Sequence, residues 1–187
     1  MTNKNIAHLE PKSWQFVNRQ LIRKAISEFT HELILKPMLV EENISGDLYA
    51  ITTDNQHYKY HFKAKKFQLD HWLIDVESIE KRDVNGVEVP LDALHFITEF
   101  KETLGIPEAF LAAYLEEITS TLSGAAYKYQ NQQFSATELA LKSFQNIEHG
   151  MTEGHPCFVA NNGRIGFNSN DYQLFAPETN QPFKILW

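Results

Sequence analysis

The densest group of residues that could do chemistry lies in the segment 152–167. Its sixteen positions hold a histidine, an arginine, two adjacent asparagines and three glycines. Gly154 and Gly163 permit backbone geometries that bring N–H groups close to a ligand. The planar guanidinium of Arg164 suits a phosphate or a carboxylate, and His155 can donate to a phosphate oxygen. The segment predicts a site for an anionic ligand such as a triphosphate. Its candidate residues are His155, Asn161, Asn162, Gly163 and Arg164.

The same residues also have a purely structural interpretation. Neither a Walker A sequence nor a G-x-G-x-x-G sequence after a strand is present. His155-Pro156 would then cap a turn, and Asn161-Asn162 would shape a loop. Arg164 would pair with an acid such as Asp171. On the residues alone, both interpretations stay open.

Two further kinds of chemistry have little support. Cys157 is the single cysteine of the chain, and no base is placed for it as a nucleophile. The histidines outside the segment form neither H-x-x-H nor H-E-x-x-H, so we predict no metal site and assign no catalytic residue within the chain.

The elements that must position the segment begin with a helix and a sheet. Apolar residues recur at helical spacing from Ser13 to Phe29, and Pro37 should end that helix. Residues 39–89 then alternate with a period of two, which predicts an antiparallel sheet of three to five strands. Asn85-Gly86 suits a two-residue hairpin with positive φ at both positions.

Helical spacing returns after the sheet. One apolar stripe runs from Leu91 to Leu104 and is closed by Gly105, and Pro107 opens the next helix. The sequence Ser-Ala-Thr-Glu at 135–138 is a capping box for a further helix through about Glu148. The predicted fold class is α+β, with helices packed on a small antiparallel sheet.

The pattern loses its regularity after Gly150. The last six residues, 182–187, look like the start of a buried strand with no charged tail after it. We therefore predict a helical and sheet domain over 1–150. Residues 151–187 would be the start of a binding region that is truncated at Trp187.

Composition limits the functions that are open to the chain. The net charge of -7 argues against a nucleic-acid partner, and the basic patch 59–66 is expected to be the solvated face of a strand. No apolar run is long enough to cross a bilayer, and the first residues contain no secretory signal. We expect a cytoplasmic protein with no membrane partner.

The segment resembles a known family. Glu153-Gly154-His155-Pro156, continuing to Arg164-Ile165-Gly166-Phe167, is similar to the signature E-G-H-P-x-H-P-x-x-K-x-R-x-G-F of the siderophore synthetases that work without a non-ribosomal peptide synthetase, the IucA/IucC family. Asp171-Tyr172 and Phe175-Ala176-Pro177-Glu178 also follow the family pattern. The spacing matches without a gap.

The resemblance implies a fold and an activity. The chain would be the thumb-like N-terminal portion of a cupped-hand synthetase, an AMP-forming acid–amine ligase. Such an enzyme uses ATP and Mg²⁺ to adenylate a carboxylate of the citrate or succinyl-hydroxamate type, and an amine or a hydroxyl then attacks the adenylate. His155 would contact the ATP phosphates, and Arg164 would help to set the nucleotide or the carboxylate. The resemblance is compatible with a homodimer of the full-length enzyme.

This sequence also departs from the family pattern. Phe158-Val159 replaces the second His-Pro, and Asn162 replaces the lysine. This version is nearest to synthetases of the alcaligin, desferrioxamine and putrebactin type. Because the later motifs of the family are missing, we expect the isolated chain to be inactive. The alternative is a self-standing interaction module that binds an anion or a nucleotide without catalysis.

Overall fold

The structure is a computed structural model that describes residues 8–44, 46–131, 134–151, 153–155, 157–161, 163–182 and 184. The chain divides into two compact units. One unit comprises Asn18–Leu115, and the other joins the segment that ends at Val17 to the chain from Glu116 onward. The division falls inside two long helices, α1 (Pro11–His31) and α3 (Glu108–Asn131). The domain boundary that the sequence suggests at residue 150 stays a prediction.

The unit of residues 18–115 contains an antiparallel sheet. Its six strands in the described residues are β1 (Met38–Glu41), β2 (Asp47–Thr52), β3 (Tyr58–Lys66), β4 (Trp72–Ile74), β5 (Glu80–Asp83) and β6 (Glu88–Val89). Their order is β1-β2-β3-β5-β6, and β4 pairs with the second half of β3. The antiparallel prediction is confirmed, and the sheet has more strands than the expected three to five.

The alternation along β3 sorts its side chains between core and solvent. Tyr60, Phe62 and Ala64 are buried, whereas the lysines of the patch 59–66 are exposed. The prediction of a solvated lysine face is therefore confirmed. Tyr60 packs edge-on against Phe96 of helix α2 (Ala93–Glu99), with ring centroids 5.1 Å apart. Helices are thus packed on a small antiparallel sheet, as the α+β prediction requires.

A buried charge cluster joins the sheet to α2. Lys81 of β5 is 2% exposed, and its ammonium contacts the carboxylate of Glu99. Tyr60 donates from its hydroxyl to the other oxygen of Glu99 at 2.7 Å. Because both polar partners of the carboxylate lie inside the unit, this cluster fixes the end of α2 on the sheet.

Strand β1 is an irregular edge of the sheet. Its four residues are exposed, and it pairs with β2 alone in the recorded topology. The pairing runs from Leu39 opposite Tyr49 to Glu41 opposite Leu48, so Val40 is an extra residue. This geometry is a β-bulge.

The end of helix α1 agrees with the sequence prediction. The helix ends at His31, before Pro37, and Leu33 has a positive φ of 60°.

The predicted hairpin at Asn85-Gly86 is present, but the predicted turn type is wrong. Positive φ occurs at Gly86 (81°) and not at Asn85. The N–H of Gly86 donates to the carbonyl of Asp83 at 3.0 Å, which closes a turn that starts at Asp83. The Asp83 carboxylate also accepts from the N–H groups of Asn85 and Val87. These bonds select a three-residue loop in which glycine takes the left-handed position.

Two of the predicted helices after the sheet are shorter than the sequence suggests, whereas α3 extends to Asn131. Regular helix α2 ends at Glu99, and turns continue to Gly105, which has the left-handed φ expected of it (65°). The capping box at Ser135 and Glu138 is confirmed. It opens only α4 (Ala136–Ala140), and a separate helix α5 (Phe144–Gly150) follows.

The segment that was expected to be irregular contains one more helix. Helix α6 (Ser169–Phe175) begins with a capping box between Asn168 and Asp171. A single 3-10 turn follows at Pro177–Thr179. Of the predicted terminal strand, residues 183 and 185–187 lie outside the described residues. None of the described helices has the length and apolar character that a membrane span needs.

Candidate functional site

The predicted site is attached to the second half of α3. The N–H of Arg164 donates to the hydroxyl of Ser120 at 2.6 Å. A Cβ atom on Gly163 would lie 3.3 Å from the carbonyl oxygen of Glu117 and 3.4 Å from the hydroxyl of Thr121. The absence of a side chain therefore lets the backbone at 163–164 lie directly on the helix.

A closed turn precedes this attachment. A Cβ atom on Gly154 would come within 2.3 Å of the carbonyl oxygen of Asn161, which no side chain could occupy. The side-chain amide of Asn161 donates to the carbonyl of His155 at 3.2 Å. The two ends of the turn 154–161 thus meet, and glycine at 154 is what permits the contact.

The ring of His155 takes part in the same turn. Its Nδ1 accepts from the N–H of Cys157 at 3.3 Å, and the exposed ring packs edge-on against Phe158 with centroids 4.9 Å apart. A neutral histidine whose Nδ1 accepts carries its proton on Nε2. His155 therefore caps the turn, as the structural interpretation expects.

Arg164 forms an ion pair with a buried carboxylate. Its Nη2 lies 3.1 Å from Oε2 of Glu178, which is 5% exposed. The hydroxyl of Tyr172 donates to the other oxygen, Oε1, at 2.7 Å. The structural interpretation suggested Asp171 as the acid, and this suggestion is wrong. The carboxylate of Asp171 accepts from the N–H of Asn168 and caps α6.

The charges around Glu178 keep it ionised. Burial alone would raise its pKa, but the hydrogen bond from Tyr172 and the charges of Arg164 and Lys128 outweigh burial, so the pKa of Glu178 lies below its ordinary value. Burial and the bond to Glu178 raise the pKa of Tyr172, so this phenol stays protonated. Burial also lowers the pKa of Lys128, against the opposing charge of Glu178.

A cleft of about 240 Å³ opens between α3, α6 and the loop that joins Arg164 to α6. Arg164 and Tyr172 line it, together with the hydroxyls of Ser120 and Ser123. Glu178 lines a separate cavity of about 330 Å³. The Arg164 side chain is 30% exposed, so its guanidinium reaches both the buried carboxylate and the open cleft.

The predicted residues fall into two groups. His155 and Asn161 share the closed turn, whereas Gly163 and Arg164 lie on α3. Asn162 lies outside the described residues. Tyr172 and Glu178 belong to the sequence pattern but were given no role, although each contacts the other and Glu178 binds Arg164. Ser120, 44 positions before Arg164, had no local signal.

Known proteins resemble the chain along almost its whole length. Putrebactin synthase of Shewanella sp. (strain MR-4) is 45% identical over 97% of this chain, and rhizobactin siderophore biosynthesis protein RhbF of Rhizobium meliloti (strain 1021) is 34% identical over 93%. The chain spans 28% of the length of each. The structure of aerobactin synthetase IucC from Klebsiella pneumoniae matches with a TM-score of 0.78 and 25% identity, covering 93% of this chain and 30% of that one.

These relatives define the class of protein. The chain is homologous to siderophore synthetases and shares their fold over the matched length. The particular family is the IucA / IucC family, which residues 143–187 match. The chain therefore carries part of an IucA / IucC family domain, and that part contains the Glu153–Phe167 signature and the Arg164–Glu178 pair.

Proposed function

We propose that the chain is part of an ATP-dependent siderophore synthetase of the hydroxamate branch. The observation that supports this most strongly is the 45% identity to putrebactin synthase over 97% of the chain. The reaction would be that of an AMP-forming acid–amine ligase. Because the chain spans 28% of that relative, the activity belongs to a larger protein in this proposal.

The proposed reaction has two balanced steps. A carboxylate oxygen of the citrate or succinyl-hydroxamate type attacks the α-phosphorus of ATP, and the bond to pyrophosphate breaks. An amine or a hydroxyl then attacks the acyl carbon, loses its proton, and displaces AMP. Because charge develops on phosphate oxygens, the protein contributes mainly by positioning the reactants and by electrostatic stabilisation.

Arg164 and His155 are the residues that we assign to ATP. Among the described residues, two of the five N–H groups of the Arg164 guanidinium bind Glu178 and the carbonyl of Gly163, and the others would be offered to a phosphate. His155 would donate from Nε2. Asn161, Asn162 and Gly163 would complete the set of ATP-binding residues. These roles follow the chemistry of their donors.

Magnesium has no assigned ligand in this chain. Among the described residues, no three acidic, histidine or cysteine side chains are grouped to hold a metal ion. Mg²⁺ commonly binds through substrate phosphates and retains several waters. We therefore propose that the ion arrives on the phosphates of ATP.

The remaining expectations belong to the same proposal. The partners would be ATP and the carboxylate and amine precursors of a siderophore, in the cytoplasm, with a homodimer of the full-length enzyme. Neither a nucleic acid nor a membrane would be a partner. The net charge of -7 supports the exclusion of nucleic acid.

A chimera tests the proposal. This chain would replace the aligned segment of Shewanella putrebactin synthase, and ATP- and Mg²⁺-dependent pyrophosphate release would be measured with the precursors of that enzyme. We expect release by the chimera. We also expect Arg164→Ala to raise the KM for ATP about tenfold, because one charged hydrogen bond to phosphate is lost.

Control measurements distinguish an effect at the ATP site from general damage to the chimera. Arg82→Ala in the same chimera removes a half-exposed arginine of β5 and should leave the KM unchanged. A folded chimera that releases no pyrophosphate, beside an active parent enzyme, would contradict the ligase proposal. Equal KM values for Arg164→Ala and the unsubstituted chimera would remove Arg164 from the ATP site.

A further inference from the structure

The guanidinium of Arg164 has to be aimed before it can serve a ligand in the cleft. An arginine side chain carries about 2 kcal/mol of rotamer entropy, and most exposed arginines are held weakly. Arg164 is held at three points. Its backbone N–H is fixed on Ser120 of α3, and its Nη1 and Nη2 bind the carbonyl of Gly163 and the carboxylate of Glu178.

The carboxylate that holds Arg164 is itself held. Glu178 uses Oε2 for Arg164 and Oε1 for the hydroxyl of Tyr172, so its two oxygens are engaged by different partners. Tyr172 lies on α6, and its ring packs edge-on against Tyr127 of α3 with centroids 5.4 Å apart. The chain of contacts thus runs from α3 through Tyr172 and Glu178 to the guanidinium.

Arg164 lies where a ligand in the cleft could contact it, whereas Glu178 does not line that cleft. Arg164 and Tyr172 line the 240 Å³ cleft, whereas the buried Glu178 faces the other cavity. The buried carboxylate also lies close enough to two cations, Arg164 and Lys128, for their charges to lower its pKa. Glu178 therefore sets the direction of the Arg164 guanidinium at the cleft wall.

We propose that Glu178, oriented by Tyr172, is the positioning residue that fixes the Arg164 guanidinium for the ATP phosphates, an inference that rests on the proposed function. Glu178 touches neither nucleotide nor acyl substrate in this role. It removes the rotamer freedom of Arg164 before binding, so that the free energy of ATP binding does not include the entropy of ordering this side chain. Tyr172 contributes by locking the carboxylate.

Kinetics of the putrebactin synthase chimera test the proposal. We expect Glu178→Ala to raise the KM for ATP about tenfold with kcat within about twofold, since binding is lost equally in the ground state and the transition state. Glu178→Gln keeps an oxygen for Arg164 and an amide N–H for Tyr172. It should raise the KM by only about twofold.

Two further variants complete the set. Tyr172→Phe removes the hydroxyl that orients Glu178, and we expect an intermediate rise of about threefold in KM for ATP. Glu148→Ala removes an exposed carboxylate of α5 and should leave KM unchanged. The proposal would be overturned if Glu178→Ala lowered kcat and left KM unchanged. It would also be overturned if Glu178→Ala and Glu178→Gln raised the KM for ATP equally.

A second measurement does not depend on activity. The isolated chain would be treated with phenylglyoxal, and modification of Arg164 would be followed by mass spectrometry with Arg82 as the internal reference. We expect Arg164 to react about threefold faster in Glu178→Ala than in the unsubstituted chain. Equal rates would overturn the positioning role even if the chimera proved inactive. An inactive chimera with faster modification would contradict only the proposed reaction.

Discussion

At the scale of single residues, Glu178 contributes both to the stability of the fold and to the position of Arg164 in the proposed site. It is buried, it accepts from Tyr172, and it pairs with Arg164. A carboxylate in this position stabilises the fold only while it is ionised, because its partners are a cation and a hydroxyl donor.

This dependence predicts how stability changes in acid. The pKa of Glu178 in the folded chain lies below its ordinary value of 4.5. Between those two values the unfolded chain binds more protons than the folded one, so the stabilisation is present above pH 4.5 and is lost as the pH falls. Thermal unfolding from pH 7 to pH 3 should therefore show a steeper loss for the unsubstituted chain than for Glu178→Gln. Parallel curves for the two chains would contradict the ionised role of Glu178.

Residue spacing alone could not choose the partner of Arg164. Asp171 and Glu178 both follow Arg164 in the sequence, and both are acids near an arginine. Asp171 is used by α6 for its N-terminal capping box, which leaves Glu178 for the guanidinium. The Asn168–Asp171 spacing was visible as a capping signal. It would have predicted α6 and removed Asp171 as the partner of Arg164, but it does not select Glu178.

At the scale of elements, the buried Lys81–Glu99 pair is the contact that holds α2 on the sheet. A second ion pair, between Arg82 and Glu80, lies on the same strand β5, but both of its side chains are 42% exposed. The two pairs differ in their exposure to water, and we therefore expect their removal to lower the free energy of unfolding by different amounts.

Substitution of the two glutamates should separate these cases. Glu99→Ala leaves the ammonium of Lys81 buried without its carboxylate, and we expect it to lower the free energy of unfolding by about 3 kcal/mol. Glu80→Ala removes only a half-exposed partner and should leave the unfolding midpoint nearly unchanged. Urea denaturation followed by tryptophan fluorescence would measure both. Similar midpoints for the two variants would show that the buried pair contributes no net stability.

Local patterns predicted the kinds of elements better than their lengths. The helix 11–31, the antiparallel sheet and the opening of α3 near Pro107 follow from periodicity and helix-end signals. The early end of α2 could not be predicted from such signals. After it, the carboxylate of Asp54 accepts from the N–H groups of Glu102 and Thr103, which lie 48 and 49 positions away in the sequence. A contact of that sequence separation has no local signature.

At the scale of the whole molecule, the chain spans 28% of its putrebactin synthase relative. The signature and the Arg164 cleft lie within this span, and the proposed second substrate has no assigned residues in it. A ligase that joins two substrates must hold both in reacting distance. The truncation suggested by the apolar run at 182–187 stays a prediction.

The isolated 187-residue chain should therefore be inactive. We expect no pyrophosphate release above background from the isolated chain under conditions in which the chimera is active. The measurement is the same enzyme-coupled assay at equal molar concentrations, with heat-denatured chimera as the blank. Turnover by the isolated chain would show that these residues hold a complete reaction site.

The bulge in β1 has a consequence for the protein at high concentration. Met38, Leu39 and Val40 form an exposed apolar edge, the kind of strand that recruits a second chain into a continuous sheet. The extra residue Val40 breaks the regular spacing of the N–H and C=O groups that no other described strand pairs, and Pro37 supplies no N–H. An incoming strand would lose its register at that point. Bulges of this kind are one of the features by which natural sheets oppose edge-to-edge aggregation, and here the apolar side chains are kept.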